Sequence, residues 1–190
     1  MLYAVRYEDR FASRPEELSH QRALSERLLQ WALKEEFSLE LSALVRGKGA
    51  SGKPYFLGCP VQFSVSHTRG LVCCGLSRTP LGVDAESPRP CKEALIQRAC
   101  NQEEFTWLAG QKERETAFLS LWTLKESVMK LSGQGLGFGL KNASFTFSGG
   151  EPRFRDQGVL LSQFSLPGGF VVSAASREEQ FPGIQLVELM

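Results

Sequence analysis

Apolar residues in the first half of the chain recur first at helical spacing and then at strand spacing. A helix is expected to begin near Ser13, because Ser13 and Glu16 have capping-box spacing and Pro15 occupies the first turn. Leucines recur at helical spacing after it, which predicts one buried helical face. A loop is expected at the glycines of 47–52. Short alternating or apolar runs predict strands at 2–7, 61–66, 71–77 and 81–86.

The second half predicts helices followed by strands. The helices are expected at 92–100, 102–109 and 113–132, and the strands near 143–147, 159–165, 169–175 and 184–189. Each half therefore has helical material followed by an antiparallel meander. We expect an α+β fold with two similar lobes, residues 1–88 and 89–190, each with helices packed on a small antiparallel sheet. The lobes are expected to pack tightly as one functional unit.

The composition is that of an ordinary globular chain of 190 residues, with 42% hydrophobic and 23% charged residues. A net charge of +1 argues against broad electrostatic binding of nucleic acid. The longest apolar run, 71–76, is too short to span a membrane, and the N-terminus lacks the pattern of a secretory signal. Five cysteines, an odd number, indicate free thiols in a reducing compartment, which predicts a cytoplasmic protein. With only two histidines, a zinc site is not expected.

Charge is unevenly distributed along the chain. No acidic residue lies between Glu40 and Asp84, although five basic residues do. These are Arg46, Lys48, Lys53, Arg69 and Arg78. The stretch is either an exposed region with a chance composition or a surface that meets phosphate or an acidic partner.

Asp84 and Glu86 end the acid-free stretch and lie two positions apart on a predicted strand, so both point to one face. Two carboxylates on one face repel each other unless water or a shared cation separates them. Mg²⁺ suits such a pair, because it binds a few carboxylates and completes its octahedron with water and substrate phosphate. The alternative is a strand end at which two acids face water.

Two further segments each allow two interpretations. Glu126 and Lys130 are neighbours on one face of the helix predicted at 113–132. They are either an exposed ion pair worth about 0.2–0.5 kcal/mol or a third metal carboxylate followed by a lysine for phosphate. His67 follows Ser66 where a predicted strand enters a turn. It is either a turn histidine bonded to its own backbone or a donor to a phosphate oxygen.

Four segments carry a family resemblance. They are GKPYF (52–56), FSVSH (63–67), GVDAE (82–86) and WTLKESVMKLSGQGL (122–136). Together they resemble the 4′-phosphopantetheinyl transferases, in particular the pseudo-dimeric class with the surfactin-synthetase activator and the holo-acyl-carrier-protein synthase type 2 enzymes. The resemblance extends from about Arg22 to about Phe147. Two positions depart from the family pattern: Ala85 replaces a residue that is often a larger aliphatic one, and Ser64 replaces a common asparagine.

The resemblance implies a Mg²⁺-dependent transfer of the 4′-phosphopantetheine moiety of coenzyme A to a serine of an apo acyl or peptidyl carrier protein. Adenosine 3′,5′-bisphosphate is the other product, and the serine hydroxyl attacks the β-phosphorus. The implied metal ligands are Asp84, Glu86 and Glu126, and Mn²⁺ could replace Mg²⁺ in such an oxygen site. Asp84, Glu126 and Lys130 are the implied catalytic residues, with Lys130 at the pyrophosphate.

By the same resemblance, coenzyme A is the co-substrate and is bound by residues from separate segments. Ser66 and His67 match positions that bind a phosphate of coenzyme A. Arg22 and Lys53 match positions that grip the adenosine 3′-phosphate end.

Two charged residues near these motifs are interpreted as structural. Glu104 matches an acidic position sometimes proposed to assist catalysis, but its spacing to Asn101 favours a capping role. Lys125 belongs to the fourth segment, yet its predicted direction is toward the core.

Two other functions stay open on the residues alone. One is a Mg²⁺-dependent nuclease or phosphodiesterase, which also uses clustered carboxylates and a lysine. The other is a non-catalytic module that binds coenzyme A or a carrier protein. The near-neutral charge argues against the first, and the complete set of three carboxylates argues against the second. Neither nucleic acid nor a membrane is an expected partner, and a monomer is expected because two lobes of one chain would already build the site.

Overall fold

The computed structural model describes residues 1–8, 10–135 and 139–189, so Leu136, the last residue of the fourth motif segment, lies outside the described residues. The helices are α1 (Arg14–Phe37), α2 (Glu93–Ala99), α3 (Gln102–Ala109) and α4 (Arg114–Ser132). The strands are β1 (Leu2–Arg6), β2 (Arg46–Lys48), β3 (Pro54–Phe56), β4 (Gln62–Thr68), β5 (Leu71–Ser77), β6 (Leu81–Glu86), β7 (Phe145–Ser148), β8 (Glu151–Phe154), β9 (Leu160–Leu166), β10 (Phe170–Ser176) and β11 (Gln185–Leu186). The predicted α+β class, with helices on small antiparallel sheets, is confirmed.

The strands form two main sheets, and two strands cross between the halves of the chain. The first sheet has the order β11-β1-β5-β4, in which β11 is parallel to β1 and the other pairs are antiparallel. The second sheet is antiparallel and has the order β6-β10-β9. The predicted meander of the first half is wrong at its last strand, because β6 leaves β5 and pairs with β10, with Asp84 opposite Ser173.

The position of β6 follows from its apolar composition. Residues 81–85 are all buried, and a strand buried on both faces needs a covering layer on each side. Leu81 and Val83 pack against the first sheet, whereas Gly82 lies against α4. The place beside β5 that a meander requires is also taken, because β5 pairs with β1 along one edge and with β4 along the other. The division at residues 88 and 89 stays a prediction, and the pairings of β6 and β11 cross it.

Three clusters of buried apolar side chains hold the elements together. One lies between α1 and the first sheet and includes Leu28. The second lies among α2, α3, α4 and β7 and includes Phe118 and Phe145. The third joins the two sheets and includes Leu2 and Val83. This third cluster fixes β6 between the two sheets, which is where the candidate site is found.

The hairpin of β2 and β3 occupies the region where the sequence predicts a loop at 47–52. Gly47 permits this pairing, because a Cβ atom there would lie 2.6 Å from the Tyr55 ring. The strand β8 was not predicted, since its sequence EPRF is polar and contains a proline. Within the described ranges, none of the helices has the length and apolar character that a membrane crossing requires.

Candidate active site

The close packing of β6 on α4 builds the candidate site, and Gly82 makes this packing possible. A Cβ atom at Gly82 would lie 2.0 Å from the carbonyl oxygen of Ser127 and 2.3 Å from the backbone nitrogen of Leu131. No side chain fits at that distance, so the two backbones touch. Because side chains alternate along a strand, Asp84 points toward the same helix and meets Lys130.

The two carboxylate oxygens of Asp84 differ in their hydrogen bonding. Its Oδ1 accepts hydrogen bonds from Lys130 Nζ at 2.8 Å and from Ser66 Oγ at 2.8 Å. Its Oδ2 is buried and has no hydrogen-bond partner among the described residues. A buried carboxylate oxygen without a partner is unfavourable unless a donor or a cation is supplied. This oxygen is therefore a candidate ligand atom.

Lys130 places a positive charge beside this carboxylate at the edge of the site. Its ammonium also donates to the carbonyl oxygen of Val83 at 2.9 Å, so two of its three hydrogens are engaged. The side chain is 31% exposed, which leaves it accessible to a ligand. The functional interpretation of Lys130 therefore has a geometric basis that an exposed helical ion pair would lack.

Glu126 belongs to the same electrostatic group. Its pKa is raised, first by burial and then by the negative charges of Asp84 and Glu86, while Lys130 opposes the rise. The third acid, Glu86, forms an ion pair with Arg89, at 3.1 Å to Nη2 and 3.3 Å to Nε. In the structure, the three predicted metal carboxylates are therefore close enough for Asp84 and Glu86 to affect the pKa of Glu126.

These carboxylates do not form a closed metal site as they stand. Across residues 1–8, 10–135 and 139–189, no group of three or more His, Cys, Asp or Glu side chains has an arrangement that could hold a metal ion. Two of the acids already have partners, because Arg89 engages both oxygens of Glu86 and Lys130 engages one oxygen of Asp84. The donor set still fits a hard cation: it consists of carboxylate oxygens, and the unpartnered Oδ2 of Asp84 is among them.

A basic recess of about 600 Å³ lies next to this group. Its lining is Arg14, His67, Thr68, Arg69 and residues 86–90. Partial burial lowers the pKa of His67, and the nearby charges of Lys130, Arg14 and Arg22 lower it further. Two other phosphate-binding candidates, Arg22 and Lys130, are thus within electrostatic reach of His67. The recess is suited to an anionic group.

Two charged residues of this recess, Arg14 and Arg69, are not among the predicted site residues. Arg14 is placed by the buried carboxylate of Glu17, which accepts from its guanidinium at 2.6 Å. Arg69 also lies 3.9 Å from Glu17. Arg69 belongs to the acid-free stretch, which was a usable signal, whereas nothing in the spacing of Arg14 connects it to His67.

Ser66 and Lys53 have partners that the sequence does not predict. Ser66 is buried and donates to Asp84. Lys53 donates to the carbonyl oxygens of Leu81 at 2.7 Å and Leu131 at 3.5 Å, and burial lowers its pKa to about 8. Lys53 and Lys130 line a separate recess of about 260 Å³ between the β2–β3 turn and the end of α4. Among its described lining residues are neither Arg22 nor His67.

Glu104 and Lys125 form a structural pair away from this site. Glu104 completes a capping box with Asn101, which confirms the capping interpretation. Its Oε2 lies 2.8 Å from Lys125 Nζ, and both side chains are almost fully buried. Lys125 therefore points into the core, as predicted.

Comparison with known proteins gives one consistent family. A family model described as the 4′-phosphopantetheinyl transferase superfamily matches residues 80–175, about half of the chain. The 4′-phosphopantetheinyl transferase psf-1 of Bacillus pumilus is 30% identical over 126 residues, covering 65% of this chain and 53% of that protein. A 4′-phosphopantetheinyl transferase of Bacillus subtilis is 28% identical over 154 residues, covering 80% and 65%. The transferase Sfp of Bacillus subtilis strain 168 is 29% identical over 129 residues, covering 66% and 58%. The chain thus spans between about half and two thirds of the length of these relatives.

Proposed function

The chain belongs to the 4′-phosphopantetheinyl transferase superfamily, and we propose that it transfers the 4′-phosphopantetheine moiety of coenzyme A to a serine of an apo carrier protein. The observation that carries this proposal is the unpartnered, buried Oδ2 of Asp84 beside Lys130 and Glu126. These residues lie inside the matched range 80–175 and at the junction of the two sheets.

In the proposed reaction, the serine oxygen forms a bond to the β-phosphorus of coenzyme A, and the bond to the bridging pyrophosphate oxygen breaks. Adenosine 3′,5′-bisphosphate leaves with that oxygen. Lys130 neutralises charge on the pyrophosphate, because its ammonium reaches the open side of the site. We assign the serine proton to Glu126, whose carboxylate is half-buried in the same group of charges as Asp84 and Lys130.

A divalent cation would be held by Asp84, Glu86 and Glu126. When bound, Mg²⁺ supplies charge neutralisation and orientation of the pyrophosphate. Glu86 must exchange Arg89 for the cation, whereas Asp84 already presents an unused oxygen. Mn²⁺ suits the same oxygen ligands.

Coenzyme A would extend across the two recesses. His67 is proposed to meet a phosphate at the basic recess, with Arg14 as an additional cation. Arg22 is not among the described lining residues of either recess, but its charge reaches His67, and its proposed place stays at the 3′-phosphate end. Ser66 is proposed to reach a phosphate only by giving up its bond to Asp84. Lys53 keeps its proposed place at the 3′-phosphate end, which would require its ammonium to exchange backbone carbonyl oxygens for phosphate.

The natural partner would be an acyl or peptidyl carrier protein. We propose that the protein acts as a monomer, because both sheets that build the site come from one chain. The five cysteines are free thiols, which suits the cytoplasm.

A direct assay tests the proposal. The protein is mixed with coenzyme A, Mg²⁺ and several apo carriers, and the carrier masses are measured. Transfer adds one phosphopantetheine mass and releases adenosine 3′,5′-bisphosphate. The Asp84→Ala variant is expected to abolish transfer with a nearly unchanged far-UV circular dichroism spectrum. The matched control is Asp156→Ala, which removes an exposed carboxylate paired with Arg177, and it should retain transfer.

Two outcomes would contradict the proposal. One is no mass gain with any carrier together with cleavage of nucleic acid, which would indicate a nuclease. The other is binding of coenzyme A without transfer, which would indicate a non-catalytic module. An Asp84→Ala variant that unfolds would remove the support from the metal assignment, because Asp84 would then be structural.

A further inference from the structure

Strands β4 and β6 face each other at the edges of the two sheets and are joined by side chains. Three hydroxyl groups of β4 accept hydrogen bonds from backbone N–H groups of β6 and the residue after it. The bonds are Ser64 Oγ to Val83 N at 2.9 Å, Ser66 Oγ to Ala85 N at 3.3 Å and Thr68 Oγ1 to Ser87 N at 3.1 Å. We call this set the hydroxyl ladder. The residue numbers of the bonded positions increase in the same direction along both strands, so β4 and β6 are parallel.

The hydroxyl ladder brackets the two acids of β6. The bonded N–H groups belong to residues 83, 85 and 87, so one bond lies before and one after each of Asp84 and Glu86. The opposite edge of β6 pairs with β10. The backbone that carries the acids is therefore fixed at both edges.

The hydroxyl ladder is buried, and two of its three hydroxyl groups also donate locally. Ser64, Ser66 and Thr68 are each less than a tenth exposed. Ser66 donates to Asp84 Oδ1 at 2.8 Å, and Thr68 donates to Ser87 Oγ at 3.0 Å. Through their bonds to Val83 N and Ser87 N, Ser64 and Thr68 act on the acids of β6 by way of its backbone.

We propose that Ser64 and Thr68 are positioning residues that set the affinity of the Asp84–Glu86 strand for a divalent cation. Removing one acceptor leaves a buried N–H group unpaired, which is relieved by a shift of the strand. A shift moves both carboxylates away from the arrangement that a cation requires. The inference rests on the proposed function for the role of the cation, but cation binding itself can be measured without transfer.

The test is a titration with Mn²⁺ alone, in which the electron paramagnetic resonance signal of the free ion reports binding. Thr68→Val keeps the volume of the side chain and removes the acceptor, and Ser64→Ala removes the acceptor at the other end. Each is expected to weaken Mn²⁺ binding about tenfold, the effect typical of groups that orient metal ligands. Thr68→Ser retains the hydroxyl and should bind as the wild type does.

Controls separate positioning from general loss of stability. Thr146→Val removes an exposed hydroxyl in the β7–β8 hairpin and should leave the affinity unchanged. Thermal unfolding without metal is recorded for every variant. Unchanged Mn²⁺ affinity in Thr68→Val and Ser64→Ala would overturn the inference, whatever their melting temperatures. If Thr68→Val does not fold, Ser64→Ala decides.

The inference and the proposed function can fail separately. A wild-type protein that transfers phosphopantetheine while the variants bind Mn²⁺ normally would overturn the inference alone. A wild-type protein that binds Mn²⁺ and loses affinity in the variants, but transfers nothing, would overturn the proposed function alone. A wild-type protein that binds no Mn²⁺ would overturn the inference.

Discussion

Helix α4 contributes two lysines, five residues apart, that form ion pairs of equal length in different surroundings. Lys125 Nζ lies 2.8 Å from Glu104, and Lys130 Nζ lies 2.8 Å from Asp84. The first pair is at most 1% exposed, whereas Lys130 is 31% exposed. Distance alone therefore does not distinguish them.

The difference lies in which polar atoms have partners. Lys125 donates to two backbone carbonyl oxygens besides Glu104, and Glu104 accepts N–H bonds from Phe145 and Asn101. Asp84 has an oxygen without a partner in the described part of the chain. A saturated pair supports the fold, whereas an unsaturated pair can bind a ligand. This comparison separates the structural half of the WTLKESVMK segment from the half that we propose to be catalytic.

The largest effect is expected from breaking the saturated pair. Lys125→Met leaves the Glu104 carboxylate buried without its counter-charge, so the free energy of unfolding should fall by about 3–5 kcal/mol. Urea denaturation measures this fall. The double variant Glu104→Gln with Lys125→Met removes both charges and should recover part of the loss. A single variant as stable as wild type would contradict the assignment of this pair to the fold.

Breaking the unsaturated pair, Lys130 with Asp84, should reduce activity more than stability. Lys130→Met removes a partly exposed cation and leaves Asp84 its bond from Ser66, so the free energy of unfolding should fall by about 1–3 kcal/mol, less than at Lys125. Transfer to a carrier should fall about 100-fold, because a charge that stabilises the transition state is lost. Lys112→Met serves as an exposed control. Equal losses of stability at positions 125 and 130, with transfer retained at 130, would remove the distinction between the pairs.

A divalent cation should stabilise the folded protein only by binding at Asp84, the acid of the unsaturated pair. Because Mg²⁺ would bind the folded state, a tenfold excess over its dissociation constant should raise the free energy of unfolding by about 1.4 kcal/mol. Asp84→Asn should abolish this gain, whereas Asp156→Asn should keep it, since Asp156 is an exposed carboxylate paired with Arg177. Thermal unfolding with Mg²⁺ and with a chelator gives the comparison. An equal gain in Asp84→Asn would place the cation elsewhere.

The sequence predicts the acids of this site better than it predicts the residues of other segments that bond to them or pack against them. Asp84 and Glu86 share a face because side chains alternate along a strand, and Glu126 and Lys130 are neighbours because helical positions four apart adjoin. Local periodicity determines both relations. The capping role of Glu104 is equally local and was predicted from its spacing to Asn101.

Contacts between distant segments could not be predicted from local spacing. The alternation of Ser64 and Ser66 with apolar residues predicts a half-buried strand, yet these hydroxyls are buried and bond to β6. The pairing of β6 with β10 instead of β5 joins segments far apart in the chain, and the close packing of β6 on α4 depends on Gly82, whose role appears only when α4 lies against it. A strand pattern gives the faces of a strand but not its partner.

Lys53 differs from both Lys125 and Lys130, because it donates only to carbonyl oxygens and has no ion pair with the described part of the chain. Burial lowers its pKa to about 8, below the usual value near 10.5. Between these values the unfolded chain holds the proton and the folded chain does not, so the contribution of Lys53 to stability rises with pH. Below about pH 8 both states are protonated, and the burial of the charge opposes folding in full.

The expected signature is a stability difference between wild type and Lys53→Met that shifts in favour of wild type from pH 7 to pH 9. The shift should be less than about 1 kcal/mol, because the side chain is partly exposed and solvent screens its charge. Urea denaturation at both pH values measures it, and the buried thiols and Tyr3, whose pKa values are raised, cancel because both proteins contain them. A constant difference would mean that Lys53 stays charged when buried. The presence of a carboxylate would then no longer distinguish the lysines of this junction.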